Sequence, residues 1–77
     1  MSKLQLIDAK RMEKILLKIG FIKKRQKGSH IFYRHEDGRT TTIPFHSSQD
    51  LARPLIREIL NEINISVDEY NDLIEDK

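Results

Sequence analysis

Apolar residues recur at helical spacing near both ends of the chain and at strand spacing between them. Met12, Ile15, Leu16 and Ile19 fall at i, i+3, i+4 and i+7, which predicts an amphipathic helix over about 9–19. Asp8 stands where an N-cap is wanted, and Gly20 where a left-handed residue closes the last turn, with Phe21 free to fold back onto the helix. From Phe21 onward the helical period gives way to β-formers and turn residues. Gly28-Ser29 separates a strand at about 21–27 from one at about 30–36, and Asp37-Gly38 leads into a third at about 39–45. The helical period returns with Leu55, Ile56, Ile59, Leu60 and Ile63 behind Pro54, which suits a first turn because its missing N–H has no partner there. Ser66-Val67-Asp68-Glu69 has the form of a capping box and opens a last short helix with Val67, Tyr70, Leu73 and Ile74 on one side.

The predicted order is α-β-β-β-α-α, an α+β domain with a three-stranded antiparallel sheet. Such a meander packs helices on one face and leaves the other to solvent. Side chains alternate along a strand, so Ile31 and Tyr33 share the core face while His30, Phe32 and Arg34 share the outer one. In the third strand Thr41, Ile43 and Phe45 alternate with Thr40, Thr42 and Pro44; Pro44 cannot donate to a ladder and marks an edge.

Composition narrows the function classes. At 77 residues, 38% hydrophobic and 34% charged, the chain is expected to be one small globular domain, with its core at about 8–65 and a short acidic helix at 66–77. Zero cysteines exclude a disulfide scaffold, a thiolate metal site and a cysteine nucleophile. No apolar run approaches the roughly 18 residues of a membrane span, and the first residues are too interrupted for a signal peptide. A cytoplasmic protein with no membrane partner is expected. The net charge of +2 conceals a division: residues 1–60 hold 13 Lys/Arg against 6 Asp/Glu, and residues 61–77 hold 1 against 6. The basic part is densest at residues 18–39, where Lys18, Lys23, Lys24, Arg25, Lys27, Arg34 and Arg39 meet only Glu36 and Asp37. Cations concentrated on strands suit a polyanion such as RNA, and lysines on an edge strand also guard it against aggregation.

Histidine is the side chain best suited to move protons near neutral pH. Of His30, His35 and His46, His30 has the most suggestive place, after a tight Gly-Ser turn, among the cations and pointing outward. His35 falls on the opposite face of a regular strand and makes a poor acid/base partner for it. His46, just past the third strand, is the second candidate for proton transfer. The spacing His30-x4-His35-x10-His46 is poor for zinc, so neither metal nor other cofactor is expected. Phe32 on the outer face could stack on a base or lie against a partner protein. Ser29 next to His30 lacks a nucleophile's geometry, since neighbours on a strand point apart.

With these residues in place the sequence resembles the HicA toxin family of bacterial toxin–antitoxin systems. The resemblance rests on Gly20-Phe21, on Lys27-Gly28-Ser29-His30 followed by Tyr33-Arg34-His35, on Thr42-Ile43-Pro44-Phe45-His46, and on the block from Asp50-Leu51 through Ile59-Leu60 to Ile65-Ser66. It implies a double-stranded-RNA-binding-domain-like α-β-β-β-α fold with an extra short C-terminal helix. It also implies a metal-independent ribonuclease that cleaves mRNA and arrests translation, in a bacterial or archaeal cytoplasm. The family's catalytic histidine corresponds to His30, and its partner is a HicB-type antitoxin that masks the active site. Lys23, Lys24, Arg25, Lys27, Phe32 and Arg34 are then the candidates for RNA contact. Duplex readers of this fold carry lysines at the start of the final helix; residues 49–54 here hold one acid and one base, which favours single-stranded RNA. A non-catalytic RNA-binding module or a partner-docking regulator is the alternative.

Overall fold

The structure, a computed structural model, describes residues 3–45 and 49–75. Its order is α1 (Ala9–Lys18), β1 (Ile22–Lys27), β2 (His30–Arg34), β3 (Thr40–Pro44), α2 (Arg53–Ile63) and α3 (Val67–Glu75), an α+β fold. The three strands form an antiparallel sheet in the order β1-β2-β3, as the alternation implies.

Each helix begins and ends for a local reason. The Asp8 carboxylate accepts the Arg11 backbone N–H at 2.9 Å and satisfies one donor of α1 that has no partner inside the helix. At the other end Phe21 N–H donates to the Leu16 carbonyl at 2.9 Å and Gly20 N–H to that of Leu17 at 3.2 Å, the paired closure of a Schellman motif. That closure needs a left-handed residue, and Gly20 supplies it at φ +102°. At the end of α2 Asn64 takes the same role at φ 59°. The capping box of α3 is reciprocal: Glu69 N–H donates to Ser66 Oγ at 3.1 Å, and Ser66 N–H to the Glu69 carboxylate at 3.2 Å.

The inner face of the sheet presents Ile31, Tyr33, Thr41 and Ile43, all buried, to α1 and α2. Two polar ties cross this layer. Tyr33 donates its hydroxyl to the Glu13 carboxylate of α1, and Thr41 donates to Glu62 of α2 at 2.7 Å. The second hairpin differs from the expected strand limits. β2 stops at Arg34, because His35 N–H pairs with the Arg39 carbonyl (2.8 Å) and Gly38 N–H with the His35 carbonyl (2.9 Å). The result is a type I turn followed by a left-handed glycine.

The buried core is wider than residues 8–65. Leu4 and Ile7 are buried in an extended N-terminal segment whose Ile7 carbonyl accepts Leu51 N–H at 2.8 Å. Tyr70 of α3 is fully buried and donates its hydroxyl to the Gln5 carbonyl at 2.6 Å, while the Asn71 side chain donates to that of Lys3 at 2.9 Å. The last helix therefore clasps the first residues, and both belong to the core. Its acidic composition hid this, because one tyrosine carries most of the burial.

Burial, with the nearby Asp50 charge, pushes the Tyr70 hydroxyl up from 10 to about 12. The folded state therefore keeps this proton at pH values where the unfolded chain releases it. The stabilisation is complete below about pH 10 and is lost as pH rises towards about 12. Chemical denaturation across that window should show stability falling more steeply for the wild type than for Tyr70→Phe; parallel slopes would mean that Tyr70 is not linked to folding.

Candidate functional site

The outer face is built from the Gly28-Ser29 turn. Gly28 has φ +60°, and the two-residue turn sets Lys27 directly opposite His30. Directly opposed residues of an antiparallel pair share a face, about 4.5–5.5 Å apart at Cβ. His30 therefore lies exposed between Lys27 on β1 and Pro44 on β3. One step along, Phe32 lies between Arg25 and Thr42, and the Arg25 guanidinium covers its ring at 5.0 Å from the centroid. Arg34 follows on the same face, opposite Thr40. Five of the sequence candidates, His30, Phe32, Arg34, Arg25 and Lys27, thus stand on one surface.

A bulge removes a sixth. The pairing runs from Arg25↔Phe32 to Lys23↔Tyr33, so Lys24 is the extra residue on β1. A single inserted residue reverses the faces beyond it. Lys23 consequently lies on the inner face with Tyr33, and its Nζ is 3.4 Å from the Glu13 oxygen that accepts the Tyr33 hydroxyl. Burial, reinforced by the Glu13 hydrogen bond and charge, raises the Tyr33 pKa far above that of a free tyrosine. Lys23 is therefore across the sheet from His30, and Lys24 sits at the bulge itself.

His35 has different surroundings. Its ring meets Phe21 edge-on with centroids 5.2 Å apart, and its Nδ1 accepts the Asp37 backbone N–H at 3.1 Å. Arg39 completes this corner. Its guanidinium lies 5.2 Å over the Phe21 ring, donates to the Asp37 carboxylate at 2.8 Å, and reaches the Ile63 carbonyl at the end of α2. The Arg39 backbone N–H, with help from its guanidinium, holds the Asp37 carboxyl below the usual range. His35 thus packs the second hairpin against the end of α1, far from the turn that carries His30. His46 lies outside the described residues.

Sequence reasoning missed the wall on the other side of His30. A groove of about 340 Å³ runs from His30 and Phe32 over Thr42 and Pro44 to α2, where Leu55, Glu58 and Glu62 line it. Glu58 and Glu62 are spaced i, i+4 and border the buried stripe of Ile59 and Ile63. That spacing marks them as neighbours, but only the packing of α2 along β3 puts them beside β2. A larger cavity, about 700 Å³, lies elsewhere, between Ile19, Arg39 and α3. Among the described residues no three His, Asp or Glu side chains converge as a metal site.

The family model of the HicA toxin of bacterial toxin–antitoxin systems matches residues 9–65. The chain belongs to the HicA toxin family. The match takes in the outer-face residues and the α2 wall of the groove. It leaves out residues 3–8 and α3, the two segments that clasp one another beside this HicA core. No curated protein matches the chain. No helix among the described residues is long and apolar enough to cross a membrane.

The corner at His35 makes a demand on Gly20 of this HicA chain. A Cβ there would fall 2.9 Å from His35 Nε2, at a φ that side chains rarely adopt. Gly20→Ala is expected to cost about 1–3 kcal/mol in urea unfolding; an unchanged midpoint would show that the ring yields freely.

Proposed function

We propose that this HicA-family toxin is an endoribonuclease that cleaves single-stranded mRNA in the cytoplasm, with His30 as its acid/base group and no metal or other cofactor. The observation that carries this reading is the position of His30, exposed on the outer face directly across from Lys27, in a chain of a toxin family. RNA brings its own nucleophile, the 2′-OH beside the scissile phosphate. Attack of that oxygen on phosphorus breaks the bond to the 5′-oxygen, leaving a 2′,3′-cyclic phosphate on one fragment and a 5′-OH on the other. One proton leaves the 2′-oxygen and one reaches the 5′-oxygen, and His30 serves one of these transfers.

The phosphate gains negative charge along this path, and a preplaced cation lowers the barrier. Lys27 is the cation nearest in register to His30, with Arg25 and Arg34 further along the same face. Phe32, capped by Arg25, offers a ring for a neighbouring base. Lys23 has no part in this reading, because it serves Glu13 on the inner face. A HicB-type antitoxin would silence the enzyme by covering the outer face and so excluding the RNA.

His30→Ala should abolish cleavage of purified RNA while leaving the unfolding midpoint and RNA affinity close to wild type, and wild-type cleavage should persist in EDTA. Cleavage by His30→Ala would remove the histidine from the mechanism, and loss of activity in EDTA would call for a metal. In a His30→Ala background, replacing both Arg25 and Lys27 by Ala should flatten the salt dependence of single-strand binding. The slope of log K against log salt should drop by about 1.4, at roughly 0.7 per cation; an unchanged slope would place the phosphates elsewhere.

A further inference from the structure

We propose that the groove between His30 and α2 is a nucleobase subsite that selects guanine next to the scissile phosphate, with the Glu58 carboxylate as the group that reads it. This inference rests on the ribonuclease reading and adds a base preference to it.

The charges around His30 are divided. Lys27 and Arg25 lie on its β1 side, and Glu58 and Glu62 line the groove on its β3 and α2 side. A strand whose scissile phosphate is held by the cations cannot also lay phosphates along the carboxylates, because like charges repel. What can enter on that side is the uncharged part of a nucleotide. Phe32, Pro44 and Leu55 give the groove apolar walls for the faces of a flat ring, and the carboxylates give it acceptors with no donor attached. The two acids are not equivalent. Glu62 already accepts the Thr41 hydroxyl at 2.7 Å, whereas Glu58, one turn earlier on α2, is exposed to the groove.

A carboxylate presents two acceptor oxygens side by side, so it discriminates among bases by their adjacent donors. Guanine alone carries two neighbouring donors on its Watson–Crick edge, N1–H and the N2 amino group. Adenine and cytosine place an acceptor nitrogen beside their single amino group. Uracil flanks its one N–H with two carbonyl oxygens, which a carboxylate repels. The groove therefore favours guanine over the other three, by the bidentate match that gives charged side chains their base specificity elsewhere.

The test uses the full-length wild type and Glu58→Gln with short RNAs that differ only in the nucleotide on one or the other side of the cleaved bond. Guanosine is compared with inosine, which lacks only the N2 amino group, and with A, C and U. At one of the two positions the wild type should show kcat/KM at least about tenfold higher for guanosine than for inosine. In Glu58→Gln, where a donor replaces one acceptor, that ratio should fall to about twofold or less. Equal rates on guanosine and inosine, or a ratio that Glu58→Gln leaves intact, would overturn the subsite while the ribonuclease reading stands. Failure of the wild type to cut any of the RNAs would overturn both.

Discussion

The register of the first hairpin is the constraint on which the make-up of both sheet faces depends. Because Gly28 and Ser29 close the turn in two residues, Lys27 and His30 are locked opposite one another, and the face of every later side chain on β2 follows by alternation. Glycine's freedom at φ +60° thus determines more than a turn. It sets which side of the sheet carries the histidine, and which cation accompanies it. A shift of one residue would send His30, Phe32 and Arg34 into the core and bring Ile31 and Tyr33 out to water. The core cannot tolerate that, so the apolar inner face and the polar outer face enforce the same register.

The inner face holds this arrangement through polar ties as well as packing. Tyr33 on Glu13 fastens β2 to α1, Thr41 on Glu62 fastens β3 to α2, and Arg39 on the Ile63 carbonyl fastens the second hairpin to the end of α2. Each tie joins the sheet or its second hairpin to a helix, and of these partners only Thr41 and Glu62 also line the groove beside His30. The bulge at Lys24 belongs to the same system. It turns Lys23 inward to Glu13, at the cost of one cation on the outer surface. Packing and surface charge therefore compete along a single strand, and the Glu13 carboxylate of α1 holds one lysine on the inner side.

Most of the fold was legible because its signals are local. Asp8, Gly20 and the Ser66–Glu69 box mark helix ends within four residues of the groups they satisfy, Pro54 marks a first turn where no N–H is needed, and the alternation in β2 names its two faces directly. Three features were not legible, for a common reason. The bulge leaves no mark in Lys23-Lys24-Arg25, where any cation can be the extra one. The burial of Tyr70 depends on Leu4, Gln5 and Ile7, more than 60 positions away in sequence. The acidic wall of the groove arises only when α2 lies along β3. Each is a matter of which elements meet, and a single sequence carries no periodic signal for that.

The charge division of the chain takes on a different meaning once the elements are placed. Read along the sequence, the acidic end looks like a segment able to fold over the basic face. In space, α3 packs on α1, which covers the inner side of the sheet, and Tyr70 anchors it there with its ring buried and its hydroxyl on Gln5. To reach His30 the tail would have to withdraw that ring from the core, a loss of about 3–5 kcal/mol by analogy with large aromatic truncations. Weak exposed ion pairs, each worth about 0.2–1 kcal/mol, do not recover it. The acids that stand beside His30 are instead those of α2, fixed by a helix whose other face is the core. Those carboxylates bound the outer face on one side, as the cations of β1 bound it on the other.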